Sequence, residues 1–190
     1  EVANVIEGGY RAEPSDRLSY SVTVFRHDWD RLRSGTSLPV QLENRIEGPV
    51  QGVEAWTTWR VAPKWQLSAG LATFDKDLVL EPGSTDPVGV NNETLANDAD
   101  WQWSLRAMAD LPHNLTLDVR ARHAEELPNP AVPSYTAFDA SLGWRPSRTI
   151  TLVLTMQDLF DDAHAEYGPA PTRSVIERSA LLEATLHFGE

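Results

Sequence analysis

The sequence contains no cysteine, which excludes disulfide scaffolds and thiolate metal sites and leaves the redox compartment undetermined. It also has few basic residues: the chain contains 28 acidic and 16 basic side chains, and the net charge is −12. This balance argues against nucleic acid as a partner, because the phosphates would be repelled. The Gly-x-Ser-x-Gly elbow, the phosphate loop and the dinucleotide fingerprint are absent as well, so we predict no enzyme and no cofactor.

Long apolar runs are also missing, and none would suffice for a transmembrane helix. The chain begins at Glu1 without a signal peptide, so we expect a mature chain or a fragment. Seven tryptophans are many for 190 residues. In a soluble protein they would form a core or ligand platforms, whereas in a membrane barrel they would suit the interfacial girdles.

A repeated period-two alternation of apolar and polar residues is typical of strands with one apolar face. It is clearest in the last third, from Tyr135 to Phe188. The predicted strands are 2–12, 17–25, 41–61, 65–71 with a polar continuation to 80, 101–110, 115–123, 135–144, 149–156 and 179–188. We expect Gly8-Gly9 to interrupt the first strand, and Gly48-Pro49 to mark a bulge or an end because proline cannot donate to a ladder.

The connections between these strands alternate strictly in length. The short ones are 13–16, 62–64, 111–114 and 145–148, and the long ones are 34–40, 81–100, 125–134 and 159–174. An antiparallel meander then places all short turns at one end, as in outer-membrane barrels. We therefore predict an all-β fold, an antiparallel up-and-down meander of about nine strands. It would form the C-terminal part of a transmembrane β-barrel, with apolar side chains toward lipid and polar ones toward a wet lumen.

Several segments carry a family resemblance. They are residues 44–48 (NRIEG) with 52–54 (GVE), 17–25 (RLSYSVTVF) leading to 28–30 (DWD), 133–140 (PSYTAFDA) and 157–161 (QDLFD). In this order and spacing they resemble the C-terminal barrel of the TonB-dependent outer-membrane receptors. Phe188 resembles the aromatic assembly signal at the end of such barrels, although Gly189-Glu190 follow it. Asp158 stands where the family usually has Asn.

The resemblance implies that residues 1–190 form the C-terminal barrel segment of such a receptor in a Gram-negative outer membrane, without the plug domain. It implies contact with outer-membrane lipid and with the barrel assembly machinery, and with TonB only through a plug absent here. The expected activity is uptake of an iron–siderophore or a similarly scarce nutrient, with no enzymatic step. Ligand specificity would lie in the long loops, mainly 81–100 and 159–174, and on the polar face.

Two other readings stay open from the residues alone. A small self-contained outer-membrane pore would close its strands on themselves and leave no unpaired edge. A soluble β-sandwich could bind carbohydrate through its tryptophans and should purify without detergent. A membrane-barrel enzyme ranks behind both, because it would need Ser, His and an acid converging at one rim.

Candidate ligand contacts are the polar-face arginines Arg106, Arg120 and Arg122. Guanidinium groups pair well with carboxylate or catecholate oxygens, so these residues could hold an anionic metal chelate. The alternative is pairing with carboxylates on neighbouring strands, namely Asp118, Asp110 and Glu183.

A second candidate is the group of Asp161, Asp162, His164 and Glu166 in the last long loop. Carboxylate and imidazole side chains this close in sequence could bind a cation. A solvated acidic loop is the preferred interpretation, so we predict no metal site and no catalytic residue.

Overall fold

Nine long strands form one antiparallel sheet in this computed structural model, which describes residues 1–36, 41–84, 95 and 97–188. The long strands are β1 (Val2–Ser15), β2 (Leu18–Gly35), β3 (Leu42–Ala62), β4 (Trp65–Lys76), β6 (Trp101–Leu111), β7 (Leu115–Ala124), β10 (Tyr135–Trp144), β11 (Ile150–Gln157) and β14 (Ser179–Leu186). Each pairs with the next one along the chain. The predicted all-β meander of about nine strands is confirmed.

Several two-residue strands lie within the long loops. β5 (Val79–Leu80) pairs with β3, β8 (Leu127–Pro128) with β9 (Ala131–Val132), and β12 (Ala163–His164) with β13 (Ile176–Glu177). A 3-10 turn, Pro112–Asn114, joins β6 to β7. No helix among the described residues is long and apolar enough to cross a membrane.

The connections segregate by length as predicted. Residues 16–17, 63–64, 112–114 and 145–149 form the short-turn end of the sheet. Residues 36–41, 77–100, 125–134 and 158–178 connect the strands at the opposite, long-loop end. Residues 37–40, 85–94 and 96 of the first two long loops lie outside the described residues, and so does most of the predicted specificity loop 81–100.

The two faces of the sheet differ sharply in polarity. Residues paired directly across neighbouring strands point to the same side, so the register assigns each side chain to a face. One row runs from Ala69 through Leu105 and Ala121 to Phe138. Large apolar side chains exposed on this apolar face are Val22, Val24, Trp59, Leu67, Leu71, Leu105, Leu142, Trp144, Leu182 and Leu186. The other, polar face carries a row from Arg106 through Arg120 to Asp139.

An exposed apolar face of this extent is the arrangement that a bilayer requires and that water opposes. No second sheet covers it in the described ranges, so the soluble sandwich does not describe this fold. Five of the seven tryptophans follow the expected girdles, whereas Trp29 and Trp56 lie on the polar face. Trp59, Trp65 and Trp144 lie on the apolar face near the short turns, and Trp101 and Trp103 lie on it near the long loops.

Two details of the predicted strands are wrong. β1 is continuous through Gly8 and Gly9, which pair with Val24 and Thr23, because a glycine backbone makes the same ladder bonds as any other. β2 extends to Gly35, past the predicted strand end at Phe25 and the predicted loop start at Ser34. The Ser34 side chain is buried there and accepts a hydrogen bond from the Arg45 backbone N–H at 3.1 Å.

The irregularity predicted near Gly48-Pro49 is confirmed as a bulge. The register between β2 and β3 shifts after the Trp29–Gly48 pair, where Arg31 adopts a positive φ of 59°. Gly48 itself has φ 142°, and a Cβ there would lie 2.0 Å from the carbonyl oxygen of Asp77. Because Gly48 has no side chain to block this approach, the chain after β4 can fold back against β3 at the bulge.

The sheet is open within the described residues. β1 and β14 form its two edges, and they do not pair with each other. All eight residues of β14 are exposed. A self-contained barrel would join these two strands, so the small closed pore does not match the sheet either.

Candidate ligand-binding face

An ion-pair network occupies the middle of the polar face. The Arg106 guanidinium donates to both carboxylate oxygens of Asp118, with Nε–Oδ1 at 2.9 Å and Nη2–Oδ2 at 2.5 Å. Arg120 shares the same carboxylate, with Nη2–Oδ2 at 3.2 Å. Fork-like pairs of this kind are strong and geometrically specific. Two of the three candidate arginines are thus brought together around one aspartate, which was the alternative considered from the sequence.

The third arginine turns to the long-loop end. Arg122 donates from Nη1 to Glu166 Oε1 at 2.5 Å and to the Tyr135 hydroxyl at 3.0 Å. Its guanidinium carbon also lies 5.2 Å from the centre of the Tyr135 ring. The partner of Arg122 is therefore a residue of the last long loop, and neither Asp110 nor Glu183.

The acidic loop is only partly solvated, contrary to the preferred interpretation. His164 is buried, stacks on Tyr135 with ring centres 4.3 Å apart, and has Nε2 3.1 Å from Glu166 Oε1. Asp158, immediately after β11, is 1% exposed. Asp162 is exposed and pairs with Arg178 at 3.0 Å.

Asp161, Asp162, His164 and Glu166, the group considered as a cation site from the sequence, do not converge on one point. Among the described residues, only Asp30, Glu47 and Glu81 bring three such ligand atoms within 4.8 Å of one another. Asp30 already pairs with Arg31, with Oδ2 and Nε 3.1 Å apart. Exposed acidic groups commonly cluster in this way without an ion.

Burial changes the acid–base chemistry of two loop carboxyls. Burial raises the pKa of Asp158 above its ordinary value, and the nearby His164 offsets this only partly. Burial acts in the same direction on Glu166, but hydrogen bonds from Arg122 and His164 outweigh it and hold the pKa of Glu166 below its ordinary value.

An aromatic concavity of about 790 Å³ lies on the polar face toward the long loops. Its rings are Phe25, His27, Trp29 and Phe74, and its other lining residues include Glu7, Glu54, Lys76, Leu95, Asp98 and Gln102. The Phe25 ring centre is 5.1 Å from that of His27 and 6.0 Å from that of Phe74. We call this group of residues the aromatic concavity.

The two phenylalanines meet because a glycine separates them. Gly52 on β3 pairs with Phe25 on β2 and with Phe74 on β4. A Cβ at Gly52 would lie 2.8 Å from the Phe25 ring and 2.0 Å from the Thr73 carbonyl oxygen. The neighbouring rings therefore occupy the space that a side chain at Gly52 would need. This gives the GVE segment noted in the sequence a structural role.

Charged groups of both signs surround the rings. His27 Nε2 lies 3.0 Å from Glu7 Oε1, and Lys76 pairs with Asp98 of the long loop. The Lys76 ammonium is also 5.9 Å from the centre of the Phe74 ring. Apolar surface with a few oriented polar groups is the usual composition of a small-molecule site.

Sequence reasoning missed the aromatic concavity, although a signal was present. Phe25, His27 and Trp29 alternate at spacing two on the polar face of β2, and Phe74 and Lys76 do so on β4. Aromatic residues on the face predicted to be wet could have been recognised as a binding surface.

A family model described as "TonB dependent receptor-like, beta-barrel" matches residues 1–159. The chain belongs to this family. Members of the family are outer-membrane receptors of Gram-negative bacteria that act as transporters rather than enzymes, and this chain is accordingly assigned to the outer membrane. The C-terminal 31 residues, which the family model does not match, continue the same sheet through β14.

Known relatives agree with the family. The chain is 27% identical over 168 residues to the pesticin receptor of Yersinia enterocolitica, covering 85% of this chain and 25% of the relative. Among solved structures, the FrpB iron transporter of Neisseria meningitidis superposes with a TM-score of 0.79 at 12% identity, covering 97% of this chain and 31% of that one.

The pyoverdine receptor FpvA of Pseudomonas aeruginosa, solved with pyoverdine bound, gives a TM-score of 0.73 at 17% identity. That match covers 98% of this chain and 30% of that one. At such identities the solved structures establish the barrel fold alone. The chain spans about a quarter of the length of the curated relatives it matches.

Proposed function

We propose that this chain forms a ligand-facing wall of an outer-membrane receptor that takes up an iron–siderophore complex or a similarly scarce nutrient. The names of several relatives support this substrate class, since they include an iron transporter, a ferric yersiniabactin receptor and a pyoverdine receptor. Energy would come from TonB acting through a plug domain. Phe188 would serve the barrel assembly machinery, and the apolar face would contact outer-membrane lipid.

The single observation that carries the proposal is the aromatic concavity on the polar face. Ferric siderophores combine aromatic or apolar groups with oxygen ligands around the metal. Rings such as Phe25 and Phe74 would stack on the organic part, and the Lys76 ammonium would face the oxygens. Leu95 and Asp98 of the long loop border the same space, so that loop would contact the ligand as well.

The three arginines complete the proposed ligand surface in different ways. Arg120 has the most exposed side chain of the three, at 55%, and only shares Asp118 with Arg106. It would be the arginine most able to turn toward an anionic ligand. Arg122, held by Glu166 and Tyr135, would instead position the last long loop beside the ligand.

Uptake of ⁵⁵Fe tests this function in cells that produce the receptor to which this chain belongs and that lack other siderophore receptors. The probes are ferric complexes of a catecholate, a hydroxamate and a phenolate siderophore. We expect uptake of one siderophore class. The double variant Phe25→Ala with Phe74→Ala should weaken this uptake and raise the half-saturation concentration about 30-fold, because each of the two ring contacts contributes about 1 kcal/mol. Arg120→Gln should weaken it by a smaller factor.

The matched control is Trp59→Leu, which removes a large aromatic ring from the apolar face without placing a polar group in lipid. Its uptake should equal that of the unaltered protein. Uptake that survives loss of TonB would contradict the proposal in favour of a passive pore. Equal losses in the control and in the concavity variants would show that the rings act on assembly rather than on the ligand.

A further inference from the structure

A buried carboxylate and a buried imidazole face each other in the last long loop without a hydrogen bond between them. Asp158 Oδ1 lies 3.6 Å from His164 Nδ1, and the two side chains are 1% and 6% exposed. Neither carboxylate oxygen of Asp158 has a hydrogen-bond partner, and neither has His164 Nδ1. When the neutral imidazole donates its one hydrogen from Nε2 to Glu166, Nδ1 is left as an acceptor that faces the Asp158 carboxylate. One added proton would join the two groups, and without it their polar atoms stay buried and unpaired, which is costly.

The pair lies where the last long loop (158–178) contacts the barrel wall. His164 belongs to β12 and stacks on Tyr135 at the start of β10. Glu166 follows it in the chain and binds both His164 Nε2 and Arg122 of β7. These contacts around His164 therefore form part of the attachment of the loop to β7 and β10, beside the backbone hydrogen bond from Leu159 to Phe138 at 2.9 Å.

Every charged group that faces the pair can be named. From β10, Asp139 accepts the backbone N–H of Asp158 at 3.2 Å. Within the loop, Asp161 Oδ2 lies 3.9 Å from His164 Nδ1. Arg178, after β13, donates to the backbone carbonyls of Asp158 and Asp161 at 3.2 and 3.1 Å rather than to their carboxylates. With Arg122, Tyr135 and Glu166 these groups make the environment predominantly acidic.

We propose that Asp158 and His164 form a proton-operated latch, which holds the last long loop against β7 and β10 at mildly acidic pH and releases it as the pH rises. The bound proton is shared between the carboxylate and the imidazole. No iron chelate is needed for this step, so the latch does not depend on the proposed uptake function.

The two shifted carboxyls define the direction of the effect. The pKa of Asp158 is raised by burial in the docked loop, so docking is favoured while Asp158 is protonated and weakens as the pH rises through that pKa. The pKa of Glu166 is lowered overall, so its contribution is present above its ordinary pKa and is lost as the pH falls through the lowered one. Docking is thus strongest in the interval between the two.

Hydrogen–deuterium exchange of the protein in isolated outer membranes tests the latch. The readout is protection of peptides from 158–178 relative to peptides from β11, corrected for the pH dependence of intrinsic exchange. We expect relative protection to fall about tenfold between about pH 4, near the ordinary pKa of an aspartate, and about pH 8, because docking loses the contribution of protonated Asp158 as the pH rises through its raised pKa. An unchanged ratio across this range would overturn the proposal.

The decisive variant is Asp158→Asn, whose amide imitates the protonated carboxyl and can donate to His164 Nδ1. Its loop should stay protected across the whole range. Asp162→Asn is the matched control, because Asp162 lies in the same loop but its side chain is 95% exposed; it should keep the tenfold fall. A tenfold fall that persists in Asp158→Asn would overturn the latch, and the profile of the unaltered protein decides the matter if this variant fails to assemble.

Discussion

Single side chains fix the shape of the polar face where β3 runs between two aromatic strands. Gly52 leaves room for the Phe25 and Phe74 rings, whereas Gly8 on β1 has no such role, since a Cβ there would meet only Val24 Cγ2 at 3.9 Å. The two strand glycines thus differ in the close contacts that a new side chain would make. This difference can be measured as a difference in the free energy of unfolding.

We predict that Gly52→Ala destabilises the folded protein by about 1–3 kcal/mol, because the new methyl group overpacks against the Thr73 carbonyl and the Phe25 ring. Gly8→Ala should change the free energy of unfolding by less than about 1 kcal/mol. Urea unfolding in lipid vesicles, followed by the shift in gel mobility between folded and unfolded barrels, measures both. Equal costs for the two variants would contradict the role given to Gly52.

At this scale the sequence predicted which face each arginine occupies but only some of its partners. Period two places Arg106, Arg120 and Asp118 on one side of neighbouring strands, so their pairing follows from the register. Arg122 meets Glu166 across 44 residues of chain. No alternation pattern reports such a contact, because it depends on how a long loop folds back onto the strands.

Whole strands follow the alternation closely. In β11 the apolar-face residue Leu154 pairs with Leu142 and Leu182, and the adjacent polar-face residue Thr155 pairs with Ser141 and Leu181. The predicted strand positions were right for this reason, and the errors at Gly8-Gly9 and Ser34 arose where residue type was taken to decide backbone pairing. Pairing is decided by the neighbouring strand instead.

We predict that Leu154→Arg costs about 2–4 kcal/mol of folding free energy in a bilayer, because it places a guanidinium among acyl chains near the middle of β11. Thr155→Arg, one residue further along the same strand, should cost less than about 1 kcal/mol because its side chain points into water beside Ser141 on the polar face. Unfolding titrations in lipid vesicles compare the two. A larger cost for Thr155→Arg than for Leu154→Arg would reverse the two faces.

The whole molecule combines an open sheet, an exposed apolar face and loops of unequal length at its two ends. These features and the family could be predicted from alternation, connection lengths and short motifs. The aromatic concavity left a signal only in the rings spaced by two on β2 and β4. The buried Asp158–His164 pair left none, because it depends on how one irregular loop folds, which no alternation pattern reports. Both lie at the long-loop end, and binding residues of proteins in general concentrate in irregular segments held by a rigid scaffold.

The orientation of the sheet is the central claim, and site-directed fluorescence tests it most directly. The sequence has no cysteine, so Leu105→Cys and Ser104→Cys each provide a single thiol for an environment-sensitive dye, on opposite faces of β6. In the outer membrane we expect brominated lipid to quench the dye at 105 and aqueous iodide to quench the dye at 104. Quenching by lipid at 104 and by iodide at 105 would contradict the membrane-barrel account.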